Sequence, residues 1–397
     1  MSEIIMCDMQ NLWNDETARE CTTPLAMRAW TSRLLGRDRD LVLYGGGNTS
    51  WKTTDTLYVK STGSDLSTVS ESDFTALHLA ALRSLLDDPA LDNAAVMRSI
   101  EGCKLDANAP KPSIETLLHA VIPKPWIEHA HADAILAVAN VESCVETCAE
   151  VFGELAPVVP YRHSGAALAR ACKAVYETLA TENTIGLILA FHGVVAFGRD
   201  ARESYGNLLR LVNLAESWLK NRGAWQLPED HVAANAASAE ALRERISAVA
   251  GFPLSVLIDR SPLAMAWARR PDLAEVATQG PPTPQHAIYT KRLPLIGDDV
   301  EGYTSRYRLI LERELGAEAR LVDATPRIAL DPGLGICILG VNPHYAAVAA
   351  EIYQHGMAIM TRAAAHGRYR AASLSDISLA ELEYGGFERR VLSKLTP

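Results

Sequence analysis

The stretch 126–139, WIEHAHADAILAVA, sets two histidines one residue apart and follows them with a mostly apolar run. Its first half reads as a strand. On a strand, residues i and i+2 point to the same face, so His129 and His131 would present two imidazoles side by side. Imidazoles next to a buried segment need partners. A divalent metal satisfies both at once, because neutral histidine is the commonest metal ligand. A pair of strand-end histidines in solvent is the other reading, and spacing alone leaves both open.

Strand and helix patterns alternate around this stretch. Residues 25–40 read as a helix with Leu25, Trp30, Leu34 and Leu35 on or near one face. LVLYGGGNTSWK (41–52) is an apolar run broken by glycines. Residues 55–86 predict a strand, a small-residue loop and a long helix, with Ser70 and Asp73 as its capping box. KPSIETLLHAVI (111–122) is a loop entering a helix, with Ser113 as N-cap. TIGLILAFHGVVAFG (184–198) reads as strand, turn at His192-Gly193, and strand; 200–220 is an amphipathic helix. Glycine turns joining adjacent strands favour a layered α/β domain over a doubly wound parallel sheet.

A chain of 397 residues is too long for one core and suits two domains. Composition shifts over 221–240. The expected organisation is a catalytic domain over 1–225, a linker over 226–250 and a smaller α/β domain over 251–397. That second domain shows strand patterns near 254–259, 286–291 and 327–340, and helix patterns near 299–315 and 343–366.

A net charge of −10 and a pI of about 5.6 argue against nucleic acid or an anionic membrane as partner. The first residues lack the basic and apolar regions of a signal peptide, and no run of about 18 apolar residues occurs. Seven cysteines without a secretory signal fit free thiols and a cytoplasmic location. Cys144 and Cys148, four apart on a helix pattern, suit packing, since no second pair completes a zinc set.

Further residues could join the histidine pair. His192 sits at a strand turn, and the glycine after it permits close approach. Three histidines with open positions is the layout of a catalytic zinc site. Glu115 could serve as acid/base beside it; on spacing alone, a helix N-terminal charge is its simpler role. Two loops, GGGNTS (45–50) and KSTGSDLS (60–67), have the small residues of an anion-binding nest. Asn48, Ser61, Thr62, Gly63, Ser64 and Ser113 add donors, and Lys60 could add charge. Such loops are also ordinary turns, and neither matches a nucleotide fingerprint.

Taken in order, GNTS (47–50), STGSDL (61–66), PSIET (112–116), EHAHAD (128–133) and FHG (191–193) resemble the class II aldolase/adducin family over roughly residues 25–220. The resemblance implies a three-layer domain with a mixed or antiparallel sheet. Residues 279–296, 324–340 and 349–360 look like the tail of one subgroup, the aldolase half of bifunctional rhamnulose-1-phosphate aldolase/alcohol dehydrogenases. With no dinucleotide fingerprint in the sequence, the expectation is an aldolase without dehydrogenase activity. By motif, His129, His131 and His192 are similar to the family's metal ligands, Glu115 to its acid/base, and Asn48, Thr62, Gly63 and Ser113 to its phosphate-holding residues; Ser64 is grouped with the last set. Ile114 stands where related enzymes carry a second serine. The resemblance implies zinc or another divalent ion, a sugar-phosphate-like substrate and a homo-oligomer, with a tetramer favoured. Decarboxylation, epimerisation, dehydration and an adducin-like binding role are the alternatives within the family.

Two internal comparisons suggest a repeat. Residues 55–77 and 286–310 both read strand, turn, helix, and 184–213 and 326–355 both read strand, turn, strand, helix. Pro332 stands near the place of His192, and no HxH occurs in the second half. One reading of 251–397 is a degenerate, metal-free copy; the other, toward which two short segments lean, is an unrelated α/β domain whose similar period is coincidence. His286 and Lys291 would either reach the active site or lie on the surface.

Overall fold

The computed structural model describes residues 9–87, 93–232, 239–373 and 375–382. It forms two compact units, Met1–Ala139 with Ser143–Arg222, and Asn140–Glu142 with Gly223–Pro397.

The first unit is built on β1 (Asn48–Lys52), β2 (Thr56–Lys60), β3 (Phe74–His78), β4 (Trp126–Ala130), β5 (Val158–Val159), β6 (Gly186–Leu189) and β7 (Gly193–Gly198). Their order is β3-β2-β1-β4-β7-β6-β5, antiparallel throughout except for the parallel pair β5–β6. Alternation along β1 makes the layers. Thr49 Oγ1 meets Ser32 Oγ of the helix Pro24–Gly36 at 2.7 Å. Ser50 turns the other way, its Oγ 2.7 Å from Nδ1 of His119 on the helix Thr116–Val121. Along β4, Glu128 faces Arg28 and Ser204, while Ile127 packs with Leu118, Leu168, Leu187 and Phe197. The unit is therefore helix, sheet, helix.

Residues 71–86 are not the long helix that their spacing predicts. A 3-10 turn, Glu71–Asp73, leads into β3, and only Leu79–Ser84 is α-helical before a further short turn. Asp73 Oδ2 does accept from the Ser70 amide at 2.8 Å, but the box closes a single turn. The ladder from Thr56↔His78 to Lys60↔Phe74 is the competitor that wins. Strand propensity is decided by such cross-strand packing.

The second unit holds β8 (Ser255–Asp259), β9 (Leu295–Ile296), β10 (Ile328–Asp331) and β11 (Gly335–Gly340), in the order β8-β11-β10-β9. These four strands repeat the pattern β4-β7-β6-β5 of the first unit: antiparallel, antiparallel, parallel. The register agrees at both hairpins, Leu189↔Gly193 and Asp331↔Gly335, and at Ala130↔Val194 and Asp259↔Ile336. A Cβ on Gly193 would lie 2.4 Å from the Ala130 carbonyl oxygen, and one on Gly335 2.5 Å from that of Asp259. In this register Ile258, Arg260 and Leu334 occupy the places of His129, His131 and His192.

Residues 286–291, expected as a strand, belong instead to the helix Pro284–Thr290 and its C-cap Lys291. Thr283 caps it, and a proline starts its first turn, a combination that favours helix entry. The expected match between residues 55–77 and 286–310 therefore fails at its first element, a strand in one and a helix in the other. His286 and Lys291 are buried. Within the segment expected as a linker, Ala239–Ala250 is helical and buries Leu242 and Ile246. Among the described residues, no helix is long and apolar enough to cross a membrane.

Candidate active site

His129 lies near the end of β4 and is fully buried. Its Nδ1 donates to the Val194 carbonyl of β7 at 2.9 Å. That bond fixes the tautomer and leaves the Nε2 lone pair facing inward. His131, just past the strand, brings its Nε2 to 3.1 Å from that of His129. His192 arrives from the β6–β7 turn, between Phe191 at φ 56° and Gly193 at φ 154°. A phenylalanine in the left-handed region is strained backbone, and such strain clusters at functional sites.

The three rings stand 4.9–5.1 Å apart between centroids, and each offers a nitrogen within 4.8 Å of the others. Nitrogens around a tetrahedral zinc with bonds of about 2.05 Å sit about 3.3 Å apart. The donor set is three imidazoles, with one tautomer fixed by a backbone carbonyl. The residues present fit a divalent ion.

Glu115 is the N-cap residue of the helix Thr116–Val121, yet its side chain makes no cap bond. It turns to the histidines. Oε1 lies 3.1 Å from His192 Nε2 and accepts from Ser164 Oγ at 3.2 Å. Oε2 lies 3.4 Å from His129 Nε2 and accepts from Asn48 Nδ2. Burial by itself would raise the Glu115 pKa, but His129, His192 and His131 outweigh it and hold the carboxyl well below the usual range. Ser113 supports the turn: its Oγ accepts from the Glu115 amide at 3.2 Å. At the far end of the helix, Lys52 Nζ donates to the carbonyls of His119 and Ile122. Burial, with Arg83 nearby, lowers the Lys52 pKa to about 7.

Asn48 has both ends of its amide engaged. Oδ1 accepts from His119 Nε2, while Nδ2 donates to Glu115. His119 Nδ1 meets Ser50 Oγ, so a buried chain runs Ser50, His119, Asn48, Glu115. Burial first, and His129 second, push the His119 pKa well below its ordinary value, which keeps the ring neutral. One N–H of Asn48 remains for a ligand.

The two small-residue loops border this cluster. A Cβ on Gly47, at φ 64°, would lie 2.7 Å from the His129 carbonyl oxygen, so the first loop rests against β4. The second joins the Glu115 segment through the bridge Ser61↔Pro112 and through the Thr62 amide on the Lys111 carbonyl at 2.8 Å. Thr62 Oγ1 is turned to the Pro112 carbonyl, and Ser64 Oγ to Asp73 Oδ1. Thr62 and Gly63 are exposed, and Gly63, at φ 85°, has open space beside it. His119, Ser50, Lys52 and Ser164 escaped the sequence reading. His119 stands four residues after Glu115 on one helix, a spacing that could have flagged it. Nothing in the sequence marks Ser164.

Comparison with known proteins gives two family matches in chain order. The Class II Aldolase and Adducin N-terminal domain matches residues 28–219, and Aldolase class II, second domain, matches 233–392. A Bacillus subtilis (strain 168) protein named uncharacterized oxidoreductase YuxG is 27% identical over 434 residues, covering 98% of this chain and 60% of that protein. Among solved structures, the N-terminal class II aldolase domain of a conserved Thermoplasma acidophilum protein is 30% identical, covers 53% of this chain and 99% of its own, and has a TM-score of 0.49. L-fuculose-1-phosphate aldolase from Thermus thermophilus is 17% identical, covering 50% of this chain and 93% of its own, with a TM-score of 0.35.

Proposed function

Since the chain belongs to the class II aldolase and adducin family, we propose that it is a metal-dependent lyase cleaving a small ketose 1-phosphate of the rhamnulose-1-phosphate type. The observation that carries this reading is Glu115, a buried carboxylate within 3.1 and 3.4 Å of two imidazole nitrogens of a three-histidine set. His129, His131 and His192 would hold the ion. Zinc suits imidazole ligands best, though manganese, cobalt or nickel can occupy such a site. A divalent ion there would supply positive charge beside the reacting carbonyl.

The chain's own residues do the rest. In the aldol direction Glu115 takes a proton from the carbon next to the carbonyl; in cleavage it returns that proton to the same carbon. Ser164 and Asn48 hold the two carboxylate oxygens in place, which preserves its aim. Asn48, Thr62, Gly63, Ser64 and Ser113 would anchor the remote phosphate, so that binding energy orients the reacting end. A homo-oligomer, tetrameric as in the family, goes with this reading.

The test is release of dihydroxyacetone phosphate from a panel of ketose 1-phosphates by wild type and Glu115→Gln. The variant should keep its metal and lose roughly 10²–10⁴-fold in kcat. Undiminished cleavage by Glu115→Gln would remove Glu115 from the chemistry.

A further inference from the structure

Three lysines are buried among the described residues: Lys52, Lys60 and Lys291. Lys52 donates to two carbonyls. Lys291 donates to the Thr325 carbonyl and to the carbonyl and carboxylate of Asp323. Lys60 differs. It ends β2 at 2% exposure, and its Nζ makes one hydrogen bond, to the Gly45 carbonyl at 3.5 Å. That is the outer limit of such a bond. Asp65, Glu115 and Asp73 are close enough to favour its charge, but none pairs with it. Buried charges are normally paired, so an ammonium left this way needs a reason.

The surroundings suggest one. Lys60 opens the second small-residue loop and reaches the first through the Gly45 carbonyl. Gly45, whose carbonyl it touches, and Gly63 both have open space where a side chain would be. Gly47 abuts the backbone of His129, and the bridge Ser61↔Pro112 ties the residue after Lys60 to the Glu115 segment. Uncommitted charge therefore lies in the wall next to the three-histidine cluster.

We propose that Lys60 binds the anionic end of the substrate, a phosphate or carboxylate group remote from the reacting carbon. The word substrate rests on the lyase reading; the anion site does not. Burial lowers the Lys60 pKa to about 8, so an anion would bind best below that pH, with the ammonium charged. A cation kept for a ligand also weakens the free protein. Replacing it with a neutral chain of similar shape should relieve the fold while removing the affinity.

Calorimetric titration of the full chain with inorganic phosphate and, separately, acetate distinguishes the two anion classes. Lys60→Met and Lys60→Gln are titrated alongside, and all three proteins are melted without anion. The expected result is anion binding at least tenfold weaker in both variants, with a melting temperature equal to or above wild type. Unchanged binding in the variants, no binding of either anion by wild type, or a lowered melting temperature would each overturn the proposal. Failure of both variants to fold would do the same, since the ammonium would then be holding the structure. Lys60-dependent phosphate binding without cleavage of any ketose phosphate would keep this site and sink the lyase reading. Cleavage with an unchanged KM in Lys60→Met would do the reverse.

Discussion

His286 is a buried imidazole with one partner among the described residues. Thr283 Oγ1 lies 2.8 Å from its Nδ1, and Nε2 has none. Burial, and then His355, lower its pKa to about 3. The unfolded chain takes up that proton below about pH 6.5, while the folded chain resists until about 3. Between those values the unfolded state binds more protons, so stability falls as pH falls, by up to about 1.4 kcal/mol per pH unit from this group. Denaturant unfolding at pH 7 and pH 4 checks this: the loss between them should shrink by up to roughly 3 kcal/mol in His286→Leu. An equal loss in the two proteins would show that His286 does not titrate this way. At this scale the sequence is informative where spacing is chemistry. His129 and His131 follow from two-residue alternation, and His192 from a glycine turn. Asn48 stood out in its small-residue loop, but the engagement of its amide by His119 was not legible. That contact pairs residues 71 positions apart and depends on which face of a helix meets which face of β1.

At the scale of elements, β4 is held from behind. Arg28 Nη2 and Glu128 Oε2 pair at 2.7 Å, both fully buried, and Ser204 Oγ donates to Glu128 at 2.8 Å. Glu128 precedes His129, so this pair sets the strand that carries the first imidazole. Removing one partner of a buried ion pair leaves the other charge uncompensated, at about 3–5 kcal/mol. Urea unfolding of Arg28→Met should show a loss of that size, while Arg28→Met with Glu128→Gln should recover much of it. A double variant as unstable as the sum of the singles would mean that the pair is not coupled. The strands β4, β6 and β7 were readable because apolar runs end at glycines or polar residues. Residues 71–86 and 286–291 were misread for opposite reasons. In the first, pairing with β2 overrides a helical pattern; in the second, the Thr283 cap and Pro284 turn a β-rich run into a helix.

At the scale of the whole chain, two units share one four-strand pattern, with matching senses and matching glycines at the β7 and β11 turns. We read the second unit as a copy of part of the first in which Ile258, Arg260 and Leu334 stand where the three histidines would be. A sheet order of this kind cannot be seen in sequence, because the two copies keep their hydrogen-bond register without keeping their side chains. A single ion for the whole chain is then expected. The most direct test is elemental analysis of the purified protein beside a His129→Ala, His131→Ala double variant, both loaded with zinc and freed of excess. The predicted result is one ion per chain in wild type and none in the variant. No retained ion in wild type, or an ion that survives loss of both histidines, would contradict it.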